Sequence, residues 1–227
     1  MPPPNYRTTV ALSGVSPGKE NGTNDVSPLL RLAEHLIVLH ATGKIGLEEG
    51  GLVDRFFLRA PQKVKAHALT FHGQALHKNE ELPGDVLQGI QEFVEWRLRV
   101  AGAEPNPRDE FSRCAWLFTS GKLDAEWTIQ HLLQSLRVNP ELEPGHMVAD
   151  YLCEVVATHP GEVVDCFDVM VHGAQEPWRV DSWSLKAIQA LRAARASGDL
   201  KAREHAERLA NQLVSMGRIQ FREALDD

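Results

Sequence analysis

From residue 27 onward this sequence repeats one grammar, and that grammar is helical. A Ser-Pro pair, a proline or an aspartate opens a segment, apolar residues follow three and four positions apart, and a glycine often closes it. Ser27-Pro28 is the first opening. Serine suits an N-cap, and proline suits the first turn because its missing N–H would have had no partner there. Leu29, Leu32, Ala33, Leu36, Ile37 and His40 then follow helical spacing until Gly43 stops the run. The same reading predicts helices from Pro61 to about His77, from Pro83 to Gly102, and from Asp109 to Gly121. Others follow the cap Asp124, Pro144 and, briefly, Pro160, with longer ones over about 183–196 and 199–216. Only 6–12 tolerates β structure, so the expected class is all-α.

Three short signatures recur: Ala41-Thr42-Gly43-Lys44-Ile45, Thr119-Ser120-Gly121-Lys122-Leu123 and Ala196-Ser197-Gly198-Asp199-Leu200. Their glycines stand 78 and 77 residues apart. Half of that interval is about 39, near the helix-hairpin period of HEAT and armadillo arrays. The expectation is an α-solenoid of such hairpins, with a non-repetitive helical bundle as the alternative.

Residues 1–26 differ in kind. They are rich in Pro, Gly, Ser, Asn and Thr and lack apolar periodicity, so they cannot offset their ordering entropy by burial. They are expected to be a flexible leader before a single helical domain over 27–227. Apolar residues make up 43% of the 227, and the formal charge is −7. That balance argues against general binding to nucleic acid or anionic membranes, which needs a basic field. Three scattered cysteines, Cys114, Cys153 and Cys166, argue for buried thiols in a reducing, cytoplasmic setting and against a disulfide or zinc framework.

The candidate chemistry fails in detail. Gly14-Val15-Ser16-Pro17-Gly18-Lys19-Glu20 is one residue short of a phosphate-binding loop and has Glu20 where the Mg²⁺-holding hydroxyl belongs. His67, His72 and His77 are five apart, so each step turns the side chain by about 140° and the three cannot share a face. His35 and His40 share that defect. Asp165 and Asp168 do share a face, but with Glu162 they form a polar stripe opposite Val163, Val164, Phe167 and Val171, which reads as a solvated side. No catalytic, cofactor or metal residues are therefore assigned.

Two features suggest a surface. Trp178 and Trp183 bracket a short segment expected to be an inter-helix loop, and exposed aromatics dominate interface energetics. From Arg179 to Arg222 there are nine Lys or Arg and four acids, against a net −12 elsewhere. The candidate interaction surface is Trp178, Arg179, Trp183, Arg192, Arg195, Lys201 and Arg203.

The runs Arg59-Ala60-Pro61-Gln62-Lys63-Val64-Lys65-Ala66-His67-Ala68 and Val94-Glu95-Trp96-Arg97-Leu98 carry a resemblance. So do the run from Trp116 through Gly121 to Trp127 and the closing Gly217-Arg218-Ile219-Gln220-Phe221-Arg222. The segment resembles the C-terminal helical region of large bacterial proteins that often carry an upstream NTPase module, some linked to anti-phage defence. The resemblance implies a regulatory or sensor arm and implies no catalytic residue. The expected function is a non-catalytic scaffold with a protein partner and no cofactor. The alternatives are an enzyme with a His/carboxylate groove, or a nucleic-acid-associated protein using the 179–222 ridge.

Overall fold

The computed structural model describes residues 27–102, 104, 107–174 and 177–226, with backbone alone at 27 and 177. The expected leader and the phosphate-loop look-alike inside it lie outside the described residues. All regular structure among the described residues is helical, so the chain is all-α. The helices are α1 (Ser27–Ala41), α2 (Leu52–Arg59), α3 (Gln62–Lys78), α4 (Gly84–Ala101), α5 (Arg108–Phe111) and α6 (Ala115–Phe118). They continue with α7 (Ala125–Val138), α8 (Gly145–Val155), α9 (Pro160–Gly173), α10 (Pro177–Asp181), α11 (Ser184–Ala196) and α12 (Leu200–Ser215). A 3₁₀ turn, Ile219–Ala224, follows.

The starts obey the expected chemistry. The Pro61 carbonyl accepts the Lys65 N–H at 3.2 Å, and the Pro83 carbonyl accepts that of Leu87 at 3.1 Å. Asp124 accepts the Trp127 N–H at 2.8 Å, and Asp199 accepts those of Lys201 and Ala202 at 2.9 and 3.1 Å. The two aspartates satisfy donors that helix geometry leaves without partners, and the two proline carbonyls accept the first bond of each helical ladder. Behind Asp124, Ile129, Leu132 and Leu136 are fully buried on one stripe. Truncating one of them to alanine costs about 2–5 kcal/mol.

Four elements differ from expectation. α2 is short and buries only Val53, Asp54 and Phe57, too few for a periodic signal; the Asp54 carboxylate accepts the Gly50 N–H at 2.8 Å and anchors its start. The segment predicted as one helix from Asp109 to Gly121 is two short helices, α5 and α6. The Ser112 carbonyl accepts the Glu143 N–H at 2.7 Å, a partner from far along the chain, and the helical ladder breaks there. α9 is a full 14 residues. The segment between Trp178 and Trp183, expected as a loop, holds most of α10.

The helices pack as two series of neighbours. α1, α4, α7, α9 and α12 follow one another, and so do α1, α3, α6, α8 and α11. The series meet through α6 on α7, α8 on α9, and α11 on α9 and α12. One connected cluster of buried apolar side chains runs from Ala33 to Ala224.

The three glycine signatures are not three equal turns. Gly43 is left-handed at φ 68°, with the Lys44 N–H on the Leu39 carbonyl and its own N–H on that of His40, both at 2.8 Å. This is the two-bond helix stop that favours glycine. Gly121 shares the φ of 68°, whereas Gly198 is not among the left-handed glycines. α11 is closed instead by Ser197, whose Oγ donates to the Ala194 carbonyl at 2.7 Å.

A buried ion cluster ties α3, α4 and α5. Arg97 is wholly buried and donates to both oxygens of buried Glu110 at 2.6 and 2.8 Å, and to Glu104 at 2.8 Å. Lys65 donates to the other Glu104 oxygen at 2.6 Å. Two cations thus face two carboxylates, the arrangement that makes charge burial tolerable. Burial alone would lower the Arg97 pKa, but the bonds to Glu110 and Glu104 raise it above its usual value. The Trp96 ring lies 4.8 Å from the guanidinium and adds a π face.

Candidate functional site

The strap 139–145, the segment joining α7 to α8 together with the first residue of α8, organises three clefts. It is tied down at several points. Asn139 donates to the Arg108 carbonyl at 3.0 Å and accepts the Glu141 N–H at 3.1 Å. Glu143 is held on Ser112, and Leu142 is buried. Pro140 sits where any side chain on Gly173 would stand, so that close approach requires glycine. Arg179, from α10, reaches Glu141 at 3.5 Å and Glu143 at 3.4 Å.

Three adjoining clefts surround this strap, with volumes of about 480, 210 and 280 Å³. The first lies between the α3 face Thr70, Gln74, His77 and Lys78, the α5–α6 residues Arg113 and Trp116, and the lip Glu143-Pro144. The second takes Arg108, Asp109 and Ser112 on one side and Gly173 and Arg179 on the other. The third runs over Pro140 and Pro144 to Met170, Trp178 and Trp183. The first and second share Glu143; the second and third share Pro140, Glu141 and Arg179.

An exposed tryptophan stands at each end of this series. Trp116 is 37% exposed and Trp178 is 59% exposed. Trp116 is held in place by His77, whose Nε2 lies 2.9 Å from the Trp116 carbonyl and whose ring meets the indole edge-on at 5.2 Å. α6 approaches α3 closely because Gly73 has no Cβ; one there would lie 2.7 Å from the Trp116 Cβ. The Arg179 guanidinium lies 5.3 Å from the Trp178 ring centroid. Arg108, Arg113 and Lys78 make no side-chain ion pair among the described residues, and all three are exposed.

The predicted surface residues divide between two places. Trp178, Arg179 and Trp183 meet at the third cleft. Trp183, expected as an exposed anchor, is only 6% exposed; it packs on Phe167 and precedes α11, so it forms floor and not projection. Arg192, Arg195, Lys201 and Arg203 lie away from the clefts. Arg192 donates to the Glu223 carbonyl, and Arg195 donates to that of Ala224 at 2.7 Å, so both hold the C-terminal 3₁₀ turn. Arg203 pairs with Glu207 at 3.4 Å, and Lys201 is exposed. Trp116, Lys78, Arg108 and Arg113 are cleft residues that sequence reasoning missed. The exposure of Trp116 follows from the break between α5 and α6, which no local pattern marks.

The histidines point different ways, as their five-residue spacing requires. His67 faces Glu34 at 2.7 Å, His72 is buried against Phe93, and His77 is in the cleft wall. Burial, with a smaller contribution from nearby His40, lowers the His72 pKa to about 3. Asp165 and Asp168 do not simply face solvent. His205 from α12 approaches them at 3.1 and 3.5 Å, and His172 meets Asp168 at 2.9 Å. This cluster bridges α9 and α12 outside the three clefts. Among the described residues, no group of three or more His, Cys, Asp or Glu is placed to hold a metal. Burial pushes the thiols of Cys114 and Cys166 well up, which suits unreactive core groups. No helix among the described residues is long and apolar enough to cross a membrane.

Comparison with known proteins yields nothing further: no family model, no curated protein and no solved structure matches the chain.

Proposed function

We propose that this protein is a non-catalytic helical-repeat scaffold that presents the clefts around the 139–145 strap to another protein. The observation that carries the reading is the placement of Trp116 and Trp178. Large aromatic side chains left exposed beside concave, pre-formed surface are the usual anchors of a protein interface. The two series of successively packed helices support the solenoid part of the proposal, because a repeat array buries its core by nearest-neighbour stacking. The resemblance to helical regions behind bacterial NTPases suggests a regulatory or sensor arm, working in the cytoplasm. The departure of Gly198 from the other two signatures limits the regularity of the array and leaves the neighbour packing untouched.

Two measurements test it. Small-angle scattering of the full chain should give a radius of gyration clearly above the roughly 17 Å of one compact globule of this length; a value at that figure removes the solenoid. A photo-crosslinking amino acid placed at 116 or 178 in the source cells should capture one discrete protein, while the same group at 201 or 203 should not. Equal capture at all four positions, or none, contradicts the scaffold reading.

A further inference from the structure

The scaffold reading leaves the occupant of the clefts unspecified, and the charges around them narrow it. Resting on that reading, we propose that the clefts take an extended segment of a partner protein carrying an apolar or aromatic side chain flanked by carboxylates.

The apolar requirement comes from Trp116. Its exposed indole forms one wall of the largest of the three clefts, and His77 fixes its orientation before any ligand arrives. A wall already ordered loses little entropy on binding. The cleft volumes, about 480, 210 and 280 Å³, hold one to a few side chains each, and the three are strung along one strap. That suits a chain laid along the strap.

The acidic requirement comes from Lys78, Arg113 and Arg108. They line the first and second clefts, are exposed, and have no ion-pair partner among the described residues. The strap carboxylates Glu141 and Glu143 are both engaged by Arg179, which leaves Asp109 as the other carboxylate of the second cleft. Over the three clefts Lys78, Arg108, Arg113 and Arg179 face Asp109, Glu141 and Glu143, a net +1 in a chain whose formal charge is −7; the excess lies in the first cleft, where Lys78 and Arg113 face Glu143 alone. Charge complementarity of this kind sets partner choice and association rate. A nucleic-acid strand fits less well. The first cleft, with Lys78 and Arg113 against Glu143, is matched by one or two carboxylates beside an apolar side chain and offers too little positive charge for a strand with a phosphate on every nucleotide.

The test is selection of a random 12-residue peptide library on the full-length protein, followed by affinity measurement with the selected synthetic peptides and, in parallel, with a labelled oligothymidine. The expected peptides carry Trp, Phe or Leu beside two or more Asp or Glu. Their affinity should fall at least tenfold in Lys78→Glu/Arg113→Glu, fall likewise in Trp116→Ala, weaken with added salt, and stay unchanged in Lys201→Glu/Arg203→Glu. Lys78→Ala/Arg113→Ala, which introduces no new charge, should show the same direction of loss with an unaltered melting temperature. Selected peptides that are basic or charge-free, binding that ignores the Lys78/Arg113 variants, failure to select any peptide, or tight binding of the oligothymidine alone each overturn the proposal. Peptides that bind elsewhere sink this inference but leave the scaffold reading in place. That reading fails separately, in the crosslinking experiment.

Discussion

Two cationic regions of this molecule look alike in composition and differ in use. On α11 and beyond, three arginines are engaged within the protein: Arg192 and Arg195 donate to the backbone carbonyls of Glu223 and Ala224, and Arg218 donates to the Asp181 carboxylate at 2.7 Å. Around the strap, Lys78, Arg108 and Arg113 make no ion pair among the described residues and stand beside Trp116. Free cations alone do not separate the two regions, since Lys201, Arg208 and Arg222 are also exposed and make no ion pair among the described residues; what sets the strap apart is that its cations line clefts and stand beside an exposed tryptophan. Counting charge over a segment gives its field at a distance, and availability depends on what lies across the neighbouring helix.

The largest expected effect comes from the extreme of internal use. Arg97→Ala leaves Glu110 buried without its partner, and removing one member of a buried pair costs about 3–5 kcal/mol. Chemical denaturation of the variant measures it; a loss below about 1 kcal/mol would mean the cluster is solvated.

Acid gives the next largest effect, through His72. Its folded pKa of about 3 lies below the ordinary 6.5, so the unfolded chain takes up the proton first. Stability from this residue is complete above pH 6.5 and is lost as pH falls toward 3. Linkage puts the loss at about 2 kcal/mol between pH 7 and pH 5. In His72→Phe that part of the pH slope should vanish. The cleft histidine His77, exposed and one step along α3, provides the contrast, and His77→Gln should keep the slope.

Arg195→Ala should be milder, at about 1.5 kcal/mol, the low end for a bond donated by a charged group, because the side chain is partly exposed. Its mark is regional: hydrogen exchange should quicken in 219–224 and nowhere near the strap. Smallest is the cleft itself. Lys78→Ala and Arg113→Ala should each change stability by less than about 0.5 kcal/mol, as for surface residues without partners. A large loss in either would show that these cations hold the fold, and the comparison between the two regions would fail.

How much of this was legible in the sequence follows from the range of the interactions. Helices behind Pro61, Pro83, Asp124, Pro144 and Asp199 were legible because each start depends on bonds within a few residues. The break between α5 and α6 was not, since it needs the Glu143 N–H, and no local pattern announces that partner. Trp116 was hidden by the same break. Trp178 and Arg179 were read as surface residues and do line a cleft. Trp183, five positions on, could not be told apart from Trp178, because its burial depends on Phe167 across the helix pair. His205 was not joined to Asp165 and Asp168, since that meeting requires α9 and α12 to pack side by side.

The central claim is that the strap clefts, and not the basic C-terminal helices, are the docking surface. Hydrogen exchange of the full chain with and without a saturating selected acidic peptide tests it most directly. The account predicts slowed exchange at 74–78, 112–117 and 139–145, with 192–203 unchanged. Slowing confined to 192–203, or spread evenly over the chain, would contradict it.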